Sequence, residues 1–240
     1  MTDQNKKRVA LLGLLVLPVL VYIAFVYLQK GVFFKTLDHV GPYTVEQVDG
    51  VNDTVYYKVP KLTFENQFGN TYTQDSITEG ITVVSFFFTS CPSICPAMNF
   101  HLKQVSDRFK GVDYFNMVSI TVDPERDTLE ALQEYARKLG VQERRWWFLR
   151  GTQEEAHQLA PKFFLAANED STAAGGYNHS QSVVVVDWNG NIRSRKDDNG
   201  NIVGSYDAMS VSELNKMEDD IKVLIAEYER WKHYQLKFDD

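Results

Sequence analysis

The chain has 240 residues, 44% of them hydrophobic and 24% charged, enough apolar content for one well-packed domain plus an appendage and too much for a disordered chain. Its 32 acidic residues outnumber 25 Lys and Arg, giving a net charge of −7 that argues against nucleic acid as a partner. Residues 1–35 hold five basic residues and one acidic one, which leaves 20 basic and 31 acidic residues, a net of −11, in the remainder.

Lys6-Lys7-Arg8 precede an uncharged run from Val9 to Leu28. Such a run has about the ~20 residues that cross a bilayer as a helix. Tyr22 and Tyr27 would lie toward its far interface. A cleaved signal peptide has a shorter apolar core and a small-residue cleavage site. Here Tyr27-Leu28-Gln29-Lys30-Gly31 follows instead, and no cysteine is present for lipidation. Residues 1–30 are therefore expected to be a cytoplasmic stub and an uncleaved transmembrane anchor helix. The Lys/Arg rule leans the N-terminus into the cytoplasm and puts the rest where cysteine pairs can oxidise.

Residues 31–57 carry the turn signals Gly41-Pro42, Asp49-Gly50 and Asn52-Asp53 and are expected to be an extended juxtamembrane tether ending in a short strand, Thr54–Val59. A domain over residues 58–231 follows. Leu62-Thr-Phe64 and Thr71-Tyr-Thr73 flank Asn66–Asn70 and predict a β-hairpin. Ile81–Phe88 is a β-branched and aromatic run suited to a strand buried on both faces. Tyr114–Val122 predicts a second apolar strand. Asp127 and Glu130 fit a capping box for a helix from about Thr128 to Leu139, stopped by Gly140. Arg145–Leu149 predicts a strand, and residues 153–165 a helix that Pro161 kinks or divides. Asn168–Asn178 reads as a small-residue loop. Val183–Asp187 predicts a third strand, turned by Trp188–Asn191 into a hairpin with Ile192–Arg195. Ser210 and Glu213 fit a second capping box, and the stripe Val211, Leu214, Met217, Ile221, Leu224, Ile225 and Tyr228 carries a helix to about Trp231, with residues 232–240 as a tail. Alternating strands and helices that close on a hairpin and a helix imply an α/β sandwich with mixed pairing.

The only two cysteines, Cys91 and Cys95, follow the first buried strand, and each precedes a proline. Pro96 is tolerable only within a first turn, which predicts a helix from near Ser93 to about Phe109. If Cys91–Cys95 is one helical turn, the spacing of four puts both sulfurs on one side, at the helix end whose free N–H groups favour thiolate. Two such thiolates can cycle through a disulfide or hold a soft ion such as Cu(I). A purely structural bridge closing so short a loop would stabilise little. Cysteines at the mouth of a central strand suggest a thioredoxin-like arrangement.

Cu(I) on two thiolates wants a third ligand. Of five histidines, His39 falls in the tether, His233 in the tail, His157 in an acidic helical segment, and His101 well around the helix from the cysteines. His179 ends a glycine-containing loop just before a strand, where a thioredoxin-like sheet ordinarily places a cis-proline; Asn178-His179-Ser180-Gln181 has no proline. His179 is the expected third ligand. The alternative is a thiol–disulfide oxidoreductase that uses Cys91 and Cys95 alone on an exported partner, with Cys91 as nucleophile.

Cys91-Pro-Ser-Ile-Cys95-Pro, Val122-Asp-Pro-Glu-Arg-Asp-Thr128 and Asn178-His179-Ser180, within about residues 58–230, resemble the Sco (SenC-type) family of membrane-anchored copper chaperones. The resemblance implies a thioredoxin-like fold with an extra β-hairpin and copper, Cu(I) or Cu(II), bound by Cys91, Cys95 and His179. It also implies delivery to the binuclear copper site of cytochrome c oxidase subunit II, or reduction of that site's cysteines. Other copper chaperones or thiol reductants are further implied partners. Asp123 matches a family acidic position, although turn chemistry at a strand end explains it equally well. The Phe-rich strand before Cys91, the long tether and Ser182-Val183 depart from the family pattern, and none removes a ligand. Without an Arg- and Ser-rich transit peptide, the expected location is a bacterial inner membrane, with the domain facing the periplasm or cell exterior.

Overall fold

The computed structural model describes residues 4, 14, 16–23, 35–48, 50–92, 94–141, 145–169 and 177–238. Met1–Lys35 and Thr36–Asp240 are separate units. In the first, residues 16–23 are helical; the rest of the expected Val9–Leu28 anchor, apart from Leu14, lies outside the described residues. Among the described residues no helix is long and apolar enough to cross a membrane.

The second unit is built on one sheet. In chain order its strands are β1 (Asp38–His39), β4 (Thr63–Asn66), β5 (Thr71–Thr73), β6 (Ile81–Phe87), β7 (Phe115–Thr121), β8 (Trp146–Arg150), β11 (Ser182–Val186), β12 (Ile192–Ser194) and β13 (Tyr206–Asp207). Two separate hairpins supply the remaining numbers, β2 (Tyr43–Val48) with β3 (Val51–Tyr56), and β9 (Ala167–Glu169) with β10 (Tyr177–His179). The sheet order is β1-β12-β11-β6-β7-β8-β4-β5, with β13 also on β11. Its centre is parallel: Ile81–Phe87 pairs in register with Phe115–Thr121, and β7 pairs with β8. β11 runs antiparallel to β6, with Val184 opposite Val84.

The helices are α1 (Gln74–Ile77), α2 (Ile94–Phe109), α3 (Leu129–Leu139), α4 (Gln153–Leu159) and α5 (Val211–Phe238). A parallel pair needs a crossover connection, and α2 and α3 supply the two for β6–β7–β8. Every residue of β6 is buried, as a strand flanked on both sides and covered on both faces requires. Ser85 and Ser119 satisfy each other across β6 and β7 at 2.8 Å, and Trp146 Nε1 donates to Ser119 Oγ at 2.9 Å, so these polar side chains at the sheet's centre are paired.

Four expectations are corrected. The stretch expected as an extended tether holds β1, which pairs with β12 (Asp38 opposite Ser194), and the β2–β3 hairpin. Val48 pairs with Val51 where that hairpin turns, and Gly50 takes a φ of +80° that suits glycine. The loop expected at Asn168–Asn178 is in part the β9–β10 hairpin. The tail is helical to Phe238, so α5 continues past Trp231. The cap of α3 is Thr128, whose Oγ1 accepts the Ala131 N–H at 3.3 Å, and not Asp127. Elsewhere the expected signals act as read: Pro161 ends α4 and starts a 3-10 turn, Ala160–Phe163, and Gly140 closes α3 with φ +74°.

The hairpin β11–β12 is drawn closed by Asp187, buried between its strands. Its Oδ1 accepts the N–H groups of Asn189 and Asn191, both at 2.9 Å, and its Oδ2 accepts Arg193 Nη1 at 2.9 Å. Arg193 Nη2 also donates to the Leu37 carbonyl at 2.8 Å and to Glu227 Oε2 at 2.9 Å. One guanidinium thus ties the hairpin to the segment before β1 and to α5.

The cap assignment is testable. Thr128→Ala is expected to lower stability by about 1 kcal/mol, the ordinary cost of a lost N-cap. The urea midpoint at constant m-value reads it, and an unchanged midpoint would reject Thr128 as the cap.

Candidate metal centre

β6 ends at Phe87, and the chain must turn into α2 within six residues. Cys91 lies in that turn, 7% exposed, and Cys95 is the second residue of α2, wholly buried. The expectation that both sit in one helical turn is corrected: the helix begins at Ile94, and Cys91 precedes it. The two side chains still meet, Cys95 being hydrogen-bonded to the Cys91 side chain. Cys91 Sγ accepts the Cys95 N–H at 3.4 Å, satisfying one of the orphan amides of a helix start. Pro96 is the third residue of α2, within the first turn, where its missing N–H costs nothing. The cysteines are not joined by a disulfide.

The expected lowering of the thiol pKa is also corrected at Cys95. Its hydrogen bond with the Cys91 side chain and its burial push the Cys95 thiol far up; a hydrogen bond from the Phe88 backbone opposes them without prevailing. The positive end of α2 does not outweigh loss of solvent at a fully buried sulfur. Cys95 is therefore a protonated thiol at neutral pH when no metal or oxidant is present.

Around the pair lies a buried polar shell that the sequence motifs do not announce. Asp127 is fully buried and binds Thr89, two residues before Cys91; its carboxyl is raised chiefly by burial, against hydrogen bonds from Thr121 and Thr89. Asn99, one turn along α2 from Cys95, donates through Nδ2 to Tyr135 Oη at 2.7 Å. Burial pushes the Tyr135 phenol up to about 12, with the cysteines and Asp127 adding to it. The i+4 spacing of Asn99 from Cys95 is the one sequence signal that could have found this residue. Asp123, at the end of β7, pairs with Arg126 Nε at 2.6 Å, which fits the turn-chemistry reading of that position.

The histidines separate as follows. His101 Nδ1 is bonded to the Ala208 carbonyl at 2.9 Å. His39 stacks on Tyr56 at 3.7 Å between ring centroids, and burial, then Arg193, lowers its pKa. His157 is half-buried on α4, contrary to a solvated reading, and His233 is exposed on α5. His179 ends β10, its backbone paired with Ala167, while its side chain lies outside the described residues. The start of β11, two residues beyond Ser180, reaches the same end of the sheet as the last residues of β6, because the two strands are antiparallel and Val184 pairs with Val84. Among the described residues no group of three or more His, Cys, Asp and Glu side chains is arranged to hold a metal ion. What is described is a pair of soft donors in contact, buried beside a protein wall, which is a fit for a soft ion that takes further ligands.

The buried state of the thiols predicts slow and unequal alkylation. With copper-free, reduced protein at pH 8, iodoacetamide is expected to modify Cys91 first and leave Cys95 largely unmodified. A raised pKa means less thiolate below it, so Cys95 labelling should grow as pH rises. Peptide mass spectrometry after timed quenching reads this, and equal rates at both cysteines would contradict it.

Comparison with known proteins places this arrangement. The SCO1/SenC family profile matches residues 54–208. The SCO1 protein homolog of Bacillus subtilis is 30% identical over 152 residues, covering 62% of this chain and 78% of that protein. The solved structure of BsSco, described as a member of the Sco family of cytochrome c oxidase assembly proteins with a disulfide switch, covers 70% of this chain and 94% of its own, at 23% identity and a TM-score of 0.56. Bradyrhizobium japonicum ScoI, solved with copper bound, covers 58% of this chain and 89% of its own, at 24% identity and a TM-score of 0.51. The two structures share the mixed α/β, thioredoxin-like Sco fold with this chain. With its profile spanning more than half of the sequence, the chain belongs to the SCO1/SenC family.

Proposed function

We propose that the protein is a membrane-anchored copper metallochaperone serving the binuclear copper site of cytochrome c oxidase subunit II. Copper is its cargo, and Cys91, Cys95 and His179 hold it. The observation that carries the reading is the pair of buried, hydrogen-bonded thiols at the start of α2. Sulfur donors of this kind select Cu(I), and burial on one side limits the coordination number. Membership of the SCO1/SenC family and the copper carried by a structural relative support it. β10 ends at His179 shortly before β11 enters the sheet at the cysteine end, so the backbone allows an imidazole there.

Copper binding must displace the thiol protons, Cys95's above all, so metal uptake releases protons and weakens as pH falls. Oxidation removes two of the three proposed ligands. A second reading, thiol–disulfide exchange with an exported partner, is favoured by the short reach between the two sulfurs and by the disulfide switch of BsSco. The two readings share Cys91 and Cys95 and part at His179, which only the first requires.

Anaerobic Cu(I) titration with X-ray absorption is expected to show one copper per chain with two sulfur ligands and one nitrogen. His179→Ala is expected to weaken binding at least tenfold while the domain stays folded; unchanged copper content and spectra would reject His179. Fully oxidised protein should be copper-free, and reduction should restore binding. Chelator-resistant copper on the disulfide form would mean that the site lies elsewhere. The proposed anchor at Val9–Leu28 implies that the full chain remains in the membrane pellet after alkaline washing, and release into the supernatant would remove it.

A further inference from the structure

Asp127 does not do what its motif advertises. Thr128 caps α3, and the Asp127 carboxylate turns away from that helix into the protein. It accepts the Thr89 backbone N–H at 3.0 Å on one oxygen and 3.2 Å on the other, together with the hydroxyls of Thr89 and Thr121. Thr121 Oγ1 in turn accepts the Asp123 N–H at 3.1 Å, and the Asp127 N–H donates to the Asp123 carbonyl at 2.9 Å.

The position of this cluster gives it meaning. The ladder between β6 and β7 ends at Phe87 opposite Thr121, with one further bond from Val122 N–H to the Phe87 carbonyl. Beyond it the Thr89 N–H has no strand to pair with, two residues before Cys91. The carboxylate takes over where the sheet stops. A buried carboxylate is costly unless several donors satisfy it, and an apolar side chain would fill the space without that cost. A carboxylate is, however, able to accept a backbone amide and two hydroxyls from different elements at once.

We propose that Asp127 is the positioning residue of the cysteine pair: by clamping Thr89 to the end of β7 it fixes where Cys91 stands relative to the first turn of α2. The sulfur of Cys91 and the amide of Cys95 then meet with little freedom left to lose when metal binds or the disulfide closes. This rests on the reading of Cys91 and Cys95 as the metal-binding pair. Outer residues that orient metal ligands cost 10–100-fold in affinity when removed.

The test measures two equilibria on the full chain, Cu(I) affinity by competition with a chromophoric chelator and the thiol–disulfide equilibrium of copper-free protein against glutathione. In the second, oxidised glutathione takes two electrons and two protons from Cys91 and Cys95, giving the disulfide and two reduced glutathiones. Asp127→Ala is expected to lower Cu(I) affinity at least tenfold and to shift the glutathione equilibrium toward the dithiol by a similar factor. Asp127→Asn keeps one oxygen for the Thr89 amide and can donate to the hydroxyls, so it should return both values to within about threefold of wild type. Thr121→Val removes the brace without touching residues 88–95 and should lower both several-fold; it decides the matter if Asp127→Ala does not fold. Thr128→Ala, the neighbouring cap variant, should leave both at wild type despite its lost stability. Folded Asp127→Ala or Thr121→Val with both values within twofold of wild type overturns the proposal, as does an equal effect from Thr128→Ala. If the wild type binds no copper, the metal reading falls, and the glutathione equilibrium still judges the positioning role.

Discussion

The structure depends on the burial of one strand on both faces and along both edges. β6 has no residue more than 2% exposed, so it can sit only at the centre, with parallel β7 on one side and antiparallel β11 on the other. A one-residue slip would exchange every side chain between the two faces, and the run of valines and phenylalanines leaves no polar face to tolerate it. With register held, the end of the strand is held too. The turn from β6 into α2 is then delivered to one place at the strand ends, beside the end of β7 and the entry to β11.

At that place opposing influences meet at Cys95, and its hydrogen bond with Cys91, together with burial, prevails. A helix start favours thiolate, and Cys91 does receive an amide from it. Cys95 gains less from the same helix start than it loses by sharing a hydrogen bond with Cys91 and by burial. Cys95 is consequently a poor nucleophile until something takes its proton, whereas Cys91 is the more accessible of the two.

The central strands, the helix that carries Cys95 and its end at Phe109 were legible because burial on both faces and proline placement each leave a local pattern. The cysteines as a pair were legible by spacing. Three things were not. Glu130 stands three residues after Asp127 and mimics a capping box, whereas Thr128 satisfies the same geometry one residue later and frees Asp127 for contacts 38 residues away. The β2–β3 hairpin read as a tether because β3 is exposed throughout and has no buried face to impose alternation. Asn99 and Tyr135 come together only when α2 and α3 pack, a meeting across 36 residues that no window reveals. The sequence placed His179 before a strand, and the backbone agrees; the imidazole itself belongs to the proposal.

The ion cluster around Arg193 bears on how the chain assembles. Its partners are Asp187, six residues away, Glu227, 34 residues on, and the Leu37 carbonyl, 156 residues back. During synthesis Leu37 emerges long before Arg193 or Glu227 exists, so β1 has no edge to join and must wait through most of translation. Closing so long a loop is entropically slow, and the guanidinium cannot be buried until α5 arrives to complete its shell. The two ends of this unit therefore lock last and together, and a ribosome-bound chain that stops short of residue 227 lacks the shell that holds its own beginning.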